Sequence, residues 1–259
     1  MSHFGTTDPA LEIPKGNVAG HSHVNKFGES TNVDSGVDTD IWDRANATAD
    51  QDIWTAPTTA RVHQIVSTDV GDTSAGAGAR TVRVSGLTSW AANQVSETIT
   101  MNGTTNVPTV NSYVIIHRMS VLTKGATSAN IGIITATADT DTTVTAEIGA
   151  TNGQTLMAVY GVPSTQIAYM TNYYVSILKA ASAASASIKL LVNLEPDAEL
   201  TNFAVHNAEG VSSDGGGHIQ HMFNPYDKIA GPAIVKMQAN GSANNLTVSS
   251  GFDIILVDN

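Results

Sequence analysis

The sequence predicts an all-β protein, with antiparallel β-sandwich or jelly-roll-like domains preceded by an extended N-terminal arm. Beyond residue 60, short stretches of alternating apolar and polar residues recur about every ten positions, separated by Gly, Pro and Asn. Thr, Ser, Asn and Gly fill the polar positions that Glu, Lys and Arg usually occupy on helices. No amphipathic stretch of helical length separates the strands, which disfavours a parallel α/β fold.

Residues 1–57 differ from the remainder of the chain and predict the arm. Their apolar residues are sparse and follow neither a two-residue nor a 3.6-residue period. Such a segment cannot bury enough surface by itself to offset its ordering entropy. We therefore expect an arm that orders on a partner or on a neighbouring copy. Trp42 and Trp54 are also expected to fix the arm to the first β domain. The expected capsid or oligomer contacts are Phe4, Leu11, Ile13, Phe27, Trp42 and Trp54.

The first β domain is predicted over residues 58–153. Val82 and Val84 share one face of a strand, whereas Thr81, Arg83 and Ser85 share the other, which is typical of a half-buried strand. Asn102-Gly103 supplies a turn because this dipeptide tolerates positive φ. The predicted strands cover residues 62–67, 81–85, 95–101, 113–122, 131–138 and 143–150.

The second β domain is predicted over residues 154–259. Ile188, Leu190, Val192 and Leu194 lie on one face of a predicted strand. Many short strands at even spacing favour a sandwich or a jelly-roll-like barrel. The predicted strands cover residues 155–162, 167–180, 187–196, 202–208, 218–223, 233–239 and 251–259.

Charge and cysteine content exclude several functional classes. The chain has 12 Lys and Arg against 23 Asp and Glu, a formal charge of −11, so we expect no nucleic-acid partner and no anionic membrane partner. It has no cysteine, which excludes disulfides, thiolate metal sites and cysteine nucleophiles. The N-terminus lacks the features of a signal peptide, so synthesis as a soluble protein in the host cytoplasm is expected.

Several segments together resemble a known family. The stretches 78–87, 96–113 and 117–138, with GNVAGHSHVNKFGES at 16–30, IWD at 41–43 and the ending VSSGFDIILVDN, are similar to tailed-bacteriophage virion structural proteins common in marine phages. Each stretch alone is generic β sequence, and the combination spans nearly the whole chain. The resemblance implies a head-decoration, head-fibre or tail-associated protein located in the virion, and it carries over no catalytic motif.

The sequence contains only weak signals for a metal-binding, phosphate-binding or catalytic site. His21 and His23, or His218 and His221, could bind a metal, but neither pair has a carboxylate at ligand spacing. The strongest calcium candidate is the acidic run, although it lacks the glycine turn and distal glutamate of an EF-hand. AGAGAR at 75–80 leads into a strand, not into the helix that a phosphate loop requires. We expect no metal, no cofactor and no catalytic residue. The acidic run comprises Asp34, Asp38, Asp40, Asp43, Asp50 and Asp52.

The resulting prediction is a non-enzymatic virion protein, a capsid decoration (cement) or head-fibre subunit anchored by its N-terminal arm. Its expected partners are the major capsid protein or other virion proteins, and further copies of itself as a homotrimer. The alternative is a tail-associated or fibre module that presents loops 71–79, 102–112 and 210–217 to a host receptor or surface glycan. A third, weaker alternative is a calcium-dependent hydrolase.

Overall fold

Antiparallel strands form most of the computed structural model, which describes residues 8–45, 51–178, 183–215 and 217–259. Strands account for 56% of the residues and helix for 2%, so the predicted all-β class is confirmed. One helical turn, α1, spans Pro9–Glu12; Asp8 accepts a hydrogen bond from the Ala10 amide at its start. No helix among the described residues is long and apolar enough to cross a bilayer.

The strands alternate with short turns along the chain, and they are numbered here in chain order. They are β1 His21–Val33, β2 Thr39–Asp40, β3 His63–Ser67, β4 Ala79–Leu87, β5 Val95–Thr100, β6 Val107–Pro108, β7 Ile115–Lys124, β8 Ile134–Ala138, β9 Val144–Ile148, β10 Val159–Val162, β11 Gln166–Ile177, β12 Ser185–Asn193, β13 Ala204–Ser212, β14 His218–Ala230, β15 Ala233–Gly241 and β16 Leu246–Asp258. A 3₁₀ turn at Ser213–Gly215 connects β13 to β14.

Four antiparallel sheets are assembled from these strands. The first has the order β1-β16-β11-β14, and the second has the order β10-β15-β12-β13, with β2 pairing β15. The third has the order β6-β3-β8-β9, and the fourth has the order β5-β4-β7. The arrangement resembles a four-blade propeller, not the predicted sandwich or jelly roll. Alternation in a sequence identifies strands, but it does not determine which strands pair across a long separation.

The segment predicted as an extended arm is built into two of these sheets. β1 runs antiparallel to β16, from the pair His21–Val257 to the pair Val33–Leu246. Farther along, β2 pairs with β15. The sequence does not predict β1 because the consecutive buried positions on its inward face carry Lys26, Gly28 and Ser30, none of which is a large apolar residue. At Gly28 a Cβ atom would lie 2.5 Å from the Ile41 carbonyl oxygen, so only glycine fits there.

Two apolar cores hold the sheets together. The first is formed mainly by the facing sides of the first and second sheets, with Phe252 and Tyr173 among its largest buried side chains. The second lies among the third and fourth sheets and includes Val159 and Ile234 from the second sheet. The second sheet therefore packs on both faces, and it links the two cores.

Candidate functional site

The predicted N-terminal contact residues lie mainly inside this chain. Trp42 and Trp54 belong to the second core, and the Trp54 indole donates a hydrogen bond of 2.8 Å to the Thr145 carbonyl. They fix the N-terminal segment to the strands of the predicted first β domain, but their burial removes them from contact with a capsid or another subunit. An aromatic residue in a polar segment does not reveal whether its partner is the same chain or another one.

The other predicted contacts are divided between buried and accessible positions. Ile13 is buried, whereas Phe27 is half-buried with the Arg118 guanidinium 5.8 Å from its ring centre. Leu11 is 52% exposed and is the member of the described set that is most accessible to a partner. Phe4 lies outside the described residues.

The acidic run does not converge on a common point. In the part of the chain that the structure describes, no cluster of three or more His, Asp or Glu side chains could hold a metal ion. Asp50 lies outside that part. Burial raises the pKa of Asp43 to about 7, and its carboxylate accepts backbone hydrogen bonds, as a structural group does. Four members of the run each form a hydrogen bond or an ion pair with a different part of the chain. Asp34 accepts from the Asn245 amide, Asp38 pairs with Lys189, Asp40 pairs with Lys236, and Asp43 accepts from the Gly149 and Leu156 amides.

One member of this run forms a buried ion pair. The Asp40 carboxylate lies 2.5 Å from Lys236 Nζ, and the two side chains are 0% and 3% exposed. The same carboxylate accepts hydrogen bonds from Gln238 Nε2 at 3.0 Å and from the Trp54 amide at 2.9 Å. Burial raises the pKa of Asp40, whereas the charge of Lys236 and these hydrogen bonds oppose that rise. This network attaches β2 and the following segment to β15, and its burial makes it structural.

The two histidine pairs are likewise separated. On β1, His23 Nε2 lies 3.5 Å from Asp253, whereas His21 Nδ1 contacts the Ala19 carbonyl. On β14, His218 contacts the Ser176 hydroxyl, and His221 pairs with Glu209. Each histidine thus has a different partner.

A surface that the sequence did not reveal lies along β13 and β14. They are edge strands of the second and first sheets, so each has one hydrogen-bonded neighbour. Most of their residues are exposed or half-exposed on both faces. Val205, Met222 and Tyr226 are 56%, 63% and 54% exposed. We call β13 and β14 together the open edge.

Reciprocal side-chain pairs join the two strands of the open edge. His206 of β13 lies 2.8 Å from Asp227 of β14, and His221 of β14 lies 3.1 Å from Glu209 of β13. The His221 ring also stacks on Tyr173, with ring centres 5.0 Å apart. These contacts hold the two strands beside each other through side chains.

Strand β14 is longer than the sequence predicts. The sequence predicts a strand over residues 218–223 only. In the structure β14 continues to Ala230, since proline is tolerated on an edge strand. Tyr226 was therefore not recognised as part of a surface.

A cleft of about 780 Å³ lies between α1 and the outer face of the first sheet. Its lining is mainly apolar, with Ile13, Tyr169 and Tyr226 among its walls. A small polar group also lines it: Asp253 accepts a hydrogen bond of 3.1 Å from Asn172, whose Oδ1 has no hydrogen-bond partner. Apolar walls with few polar groups are typical of small-molecule sites.

Comparison of the chain with protein-family models, curated proteins and solved structures finds no match.

Proposed function

We propose that this chain is a non-enzymatic structural subunit of a bacteriophage virion, located on the head as a decoration (cement) or head-fibre protein. Its partners would be further copies of itself, as a trimer, and the major capsid protein or other virion proteins. The observation that supports assembly is the open edge. The virion location rests on the family resemblance of the sequence.

The open edge has the properties of a protein–protein interaction surface. An edge strand presents a row of unpaired N–H and C=O groups to which another strand can add. Proteins that remain monomeric commonly protect such edges with lysine, proline or a covering element. β13 contains neither lysine nor proline, and β14 carries Pro225 and Lys228 only in its second half. The first half of β14 and the length of β13 thus carry neither lysine nor proline, and each strand has one β-bulge, at His206 in β13 and between Met222 and Asp227 in β14.

The N-terminal segment contributes to this function differently from the predicted arm. From His21 onward it is a strand of the first sheet, so it stabilises the subunit and does not reach out to a neighbour. Strand β1 is therefore not available for attachment, whereas large apolar side chains remain exposed at the open edge.

Lysine substitutions at the open edge are expected to abolish self-association. The variant Val205→Lys with Met222→Lys introduces two charges where another copy would pack, and lysine on an edge opposes strand addition. The control Val70→Lys with Val110→Lys makes the same chemical change at residues that are 72% and 89% exposed outside the strands.

Sedimentation velocity of the purified full chains measures the effect. The natural chain and the control are expected to sediment as oligomers, and the open-edge variant as a monomer with unchanged circular dichroism. A monomeric natural chain, or an open-edge variant that still associates, would refute assembly through this surface.

A second candidate is a module that binds a host receptor or surface glycan, and the cleft favours it. Tyr169 and Tyr226 offer aromatic faces beside the hydrogen-bonding group of Asp253 and Asn172. None of the described residues of the three predicted loops lines this cleft. A fluorescent monomeric chain that labels host cells and blocks adsorption would favour this candidate over the first.

A further inference from the structure

Three basic side chains surround a small cavity where three sheets meet. Lys26 comes from β1 in the first sheet, and His117 and Arg118 come from β7 in the fourth sheet. Tyr160 comes from β10 in the second sheet, and its ring packs against His117 with centres 4.5 Å apart. The cavity has a volume of about 200 Å³. We call it the basic cavity.

The deep wall of the basic cavity is buried, and its mouth is accessible. Lys26, His117 and Tyr160 are each 2% exposed. His23 and Gln94, which also line the cavity, are exposed. The cavity therefore borders solvent at His23 and Gln94, and the Lys26 side chain forms part of its buried wall.

Lys26 and Arg118, the two strongest bases in the lining, have no acidic partner within the described residues. None of the ion pairs in the described part of the chain includes Lys26 or Arg118. The Lys26 amine donates to the His117 carbonyl oxygen, and an Arg118 N–H donates to the Asn25 carbonyl oxygen at 2.7 Å. Buried charges are normally paired, because desolvation is costly without an opposite charge.

The titration behaviour of the cluster agrees with this geometry. Burial, followed by the nearby charge of Arg118, lowers the pKa of Lys26 well below its ordinary value. Burial, followed by the charges of Lys26 and Arg118, also lowers the pKa of His117. An opposite charge in the cavity would favour the protonated forms of both groups.

One buried nitrogen of the His117 ring also has no hydrogen-bond partner. His117 Nε2 lies 2.9 Å from Gln94 Oε1 and donates to it, so Nδ1 is the unprotonated nitrogen of the neutral ring. Nδ1 is buried without a hydrogen-bond partner. Once His117 is protonated, Nδ1 becomes a donor.

We propose that the basic cavity binds a small oxyanion, a phosphate, sulfate or carboxylate group, with Lys26 and Arg118 as its charge partners. The volume is smaller than the roughly 300–1,000 Å³ of typical organic-ligand sites, and it suits a group of a few heavy atoms. Arginine and lysine are the residues that commonly bind such groups. Because the site joins the first, second and fourth sheets, a bound anion also stabilises their junction.

Binding is tested on the full chain with inorganic phosphate, sulfate and acetate, each compared with sodium chloride at equal ionic strength. At least one of the three is expected to raise the midpoint of thermal unfolding saturably and to give a binding isotherm by calorimetry. The anion that binds identifies the chemistry of the ligand: phosphate or sulfate indicates a tetrahedral oxyanion, and acetate indicates a carboxylate.

Two variants locate the site. Lys26→Met and Arg118→Gln are each expected to weaken anion binding at least tenfold, whereas Lys189→Met, which removes a partly exposed lysine outside the cavity lining, is expected to leave it unchanged. Arg118 is half-buried, so Arg118→Gln keeps the test valid if Lys26→Met fails to fold. Absence of saturable binding by all three anions overturns the proposal. Binding that is equally strong in Arg118→Gln overturns it as well.

Discussion

Replacing Asp40 by alanine is expected to lower the free energy of unfolding by about 3–5 kcal/mol, the usual cost of removing one partner of a buried ion pair. Lys236, which is 3% exposed, would remain buried without its counter-ion. The Trp54 amide and Gln238 would lose their acceptor at the same time. Urea unfolding of the full chain measures the difference.

Two matched variants separate the buried charge from a general effect of the substitution. Asp38→Ala removes a partly exposed partner of Lys189, so it is expected to cost less than about 1 kcal/mol. Replacing both Asp40 and Lys236 by apolar residues, as Asp40→Leu with Lys236→Met, is expected to recover much of the loss, because no charge remains buried. A stability within about 1 kcal/mol of the natural chain for Asp40→Ala alone would contradict this role of the pair.

A chain reduced to residues 58–259 is expected not to reach the native fold. Its first sheet would lack β1, which pairs along most of β16. Its second core would also lack Trp42 and Trp54, whose truncation in a core typically costs about 3–5 kcal/mol each. The whole stability of a domain is about 5–15 kcal/mol, so these losses are sufficient to unfold it. Near-ultraviolet circular dichroism and the cooperativity of thermal unfolding report the result.

Two single substitutions test the same interpretation without removing the segment. Trp54→Ala is expected to destabilise the full chain by about 3–5 kcal/mol, whereas Trp90→Ala, at a half-buried position, is expected to cost less. A shortened chain that unfolds cooperatively and retains near-ultraviolet signals would show that residues 1–57 are dispensable for folding.

Strands with a regular apolar face could be located from sequence. The predicted strands at 81–85 and 187–196 correspond to β4 and β12, where apolar residues alternate with polar ones along much of each strand. β1 could not be found in this way, because its inward positions include Lys26 and Gly28. Pairing between the two ends of the chain is equally invisible, since alternation carries no information about the partner strand.

The functional surfaces were harder to predict than the strands. Lys26 and His117 are 91 positions apart, and only the meeting of the first and fourth sheets brings them together. The open edge depends on which strands end a sheet, and that is a property of topology. Residues that are close in sequence can also have separate partners. In the acidic run, Asp38 pairs with Lys189 and Asp40 pairs with Lys236.

Localisation of the chain in virus particles tests the proposed function most directly. Asn259 is exposed at the C-terminal end of β16, so a peptide tag added after it leaves the sheets intact. Purified particles from an infection that produces the tagged chain are labelled with gold-conjugated antibody and imaged by electron microscopy. Gold on the heads of intact particles is the predicted result. Unlabelled particles, with the tagged chain recovered as a free monomer, would contradict a structural role in the virion.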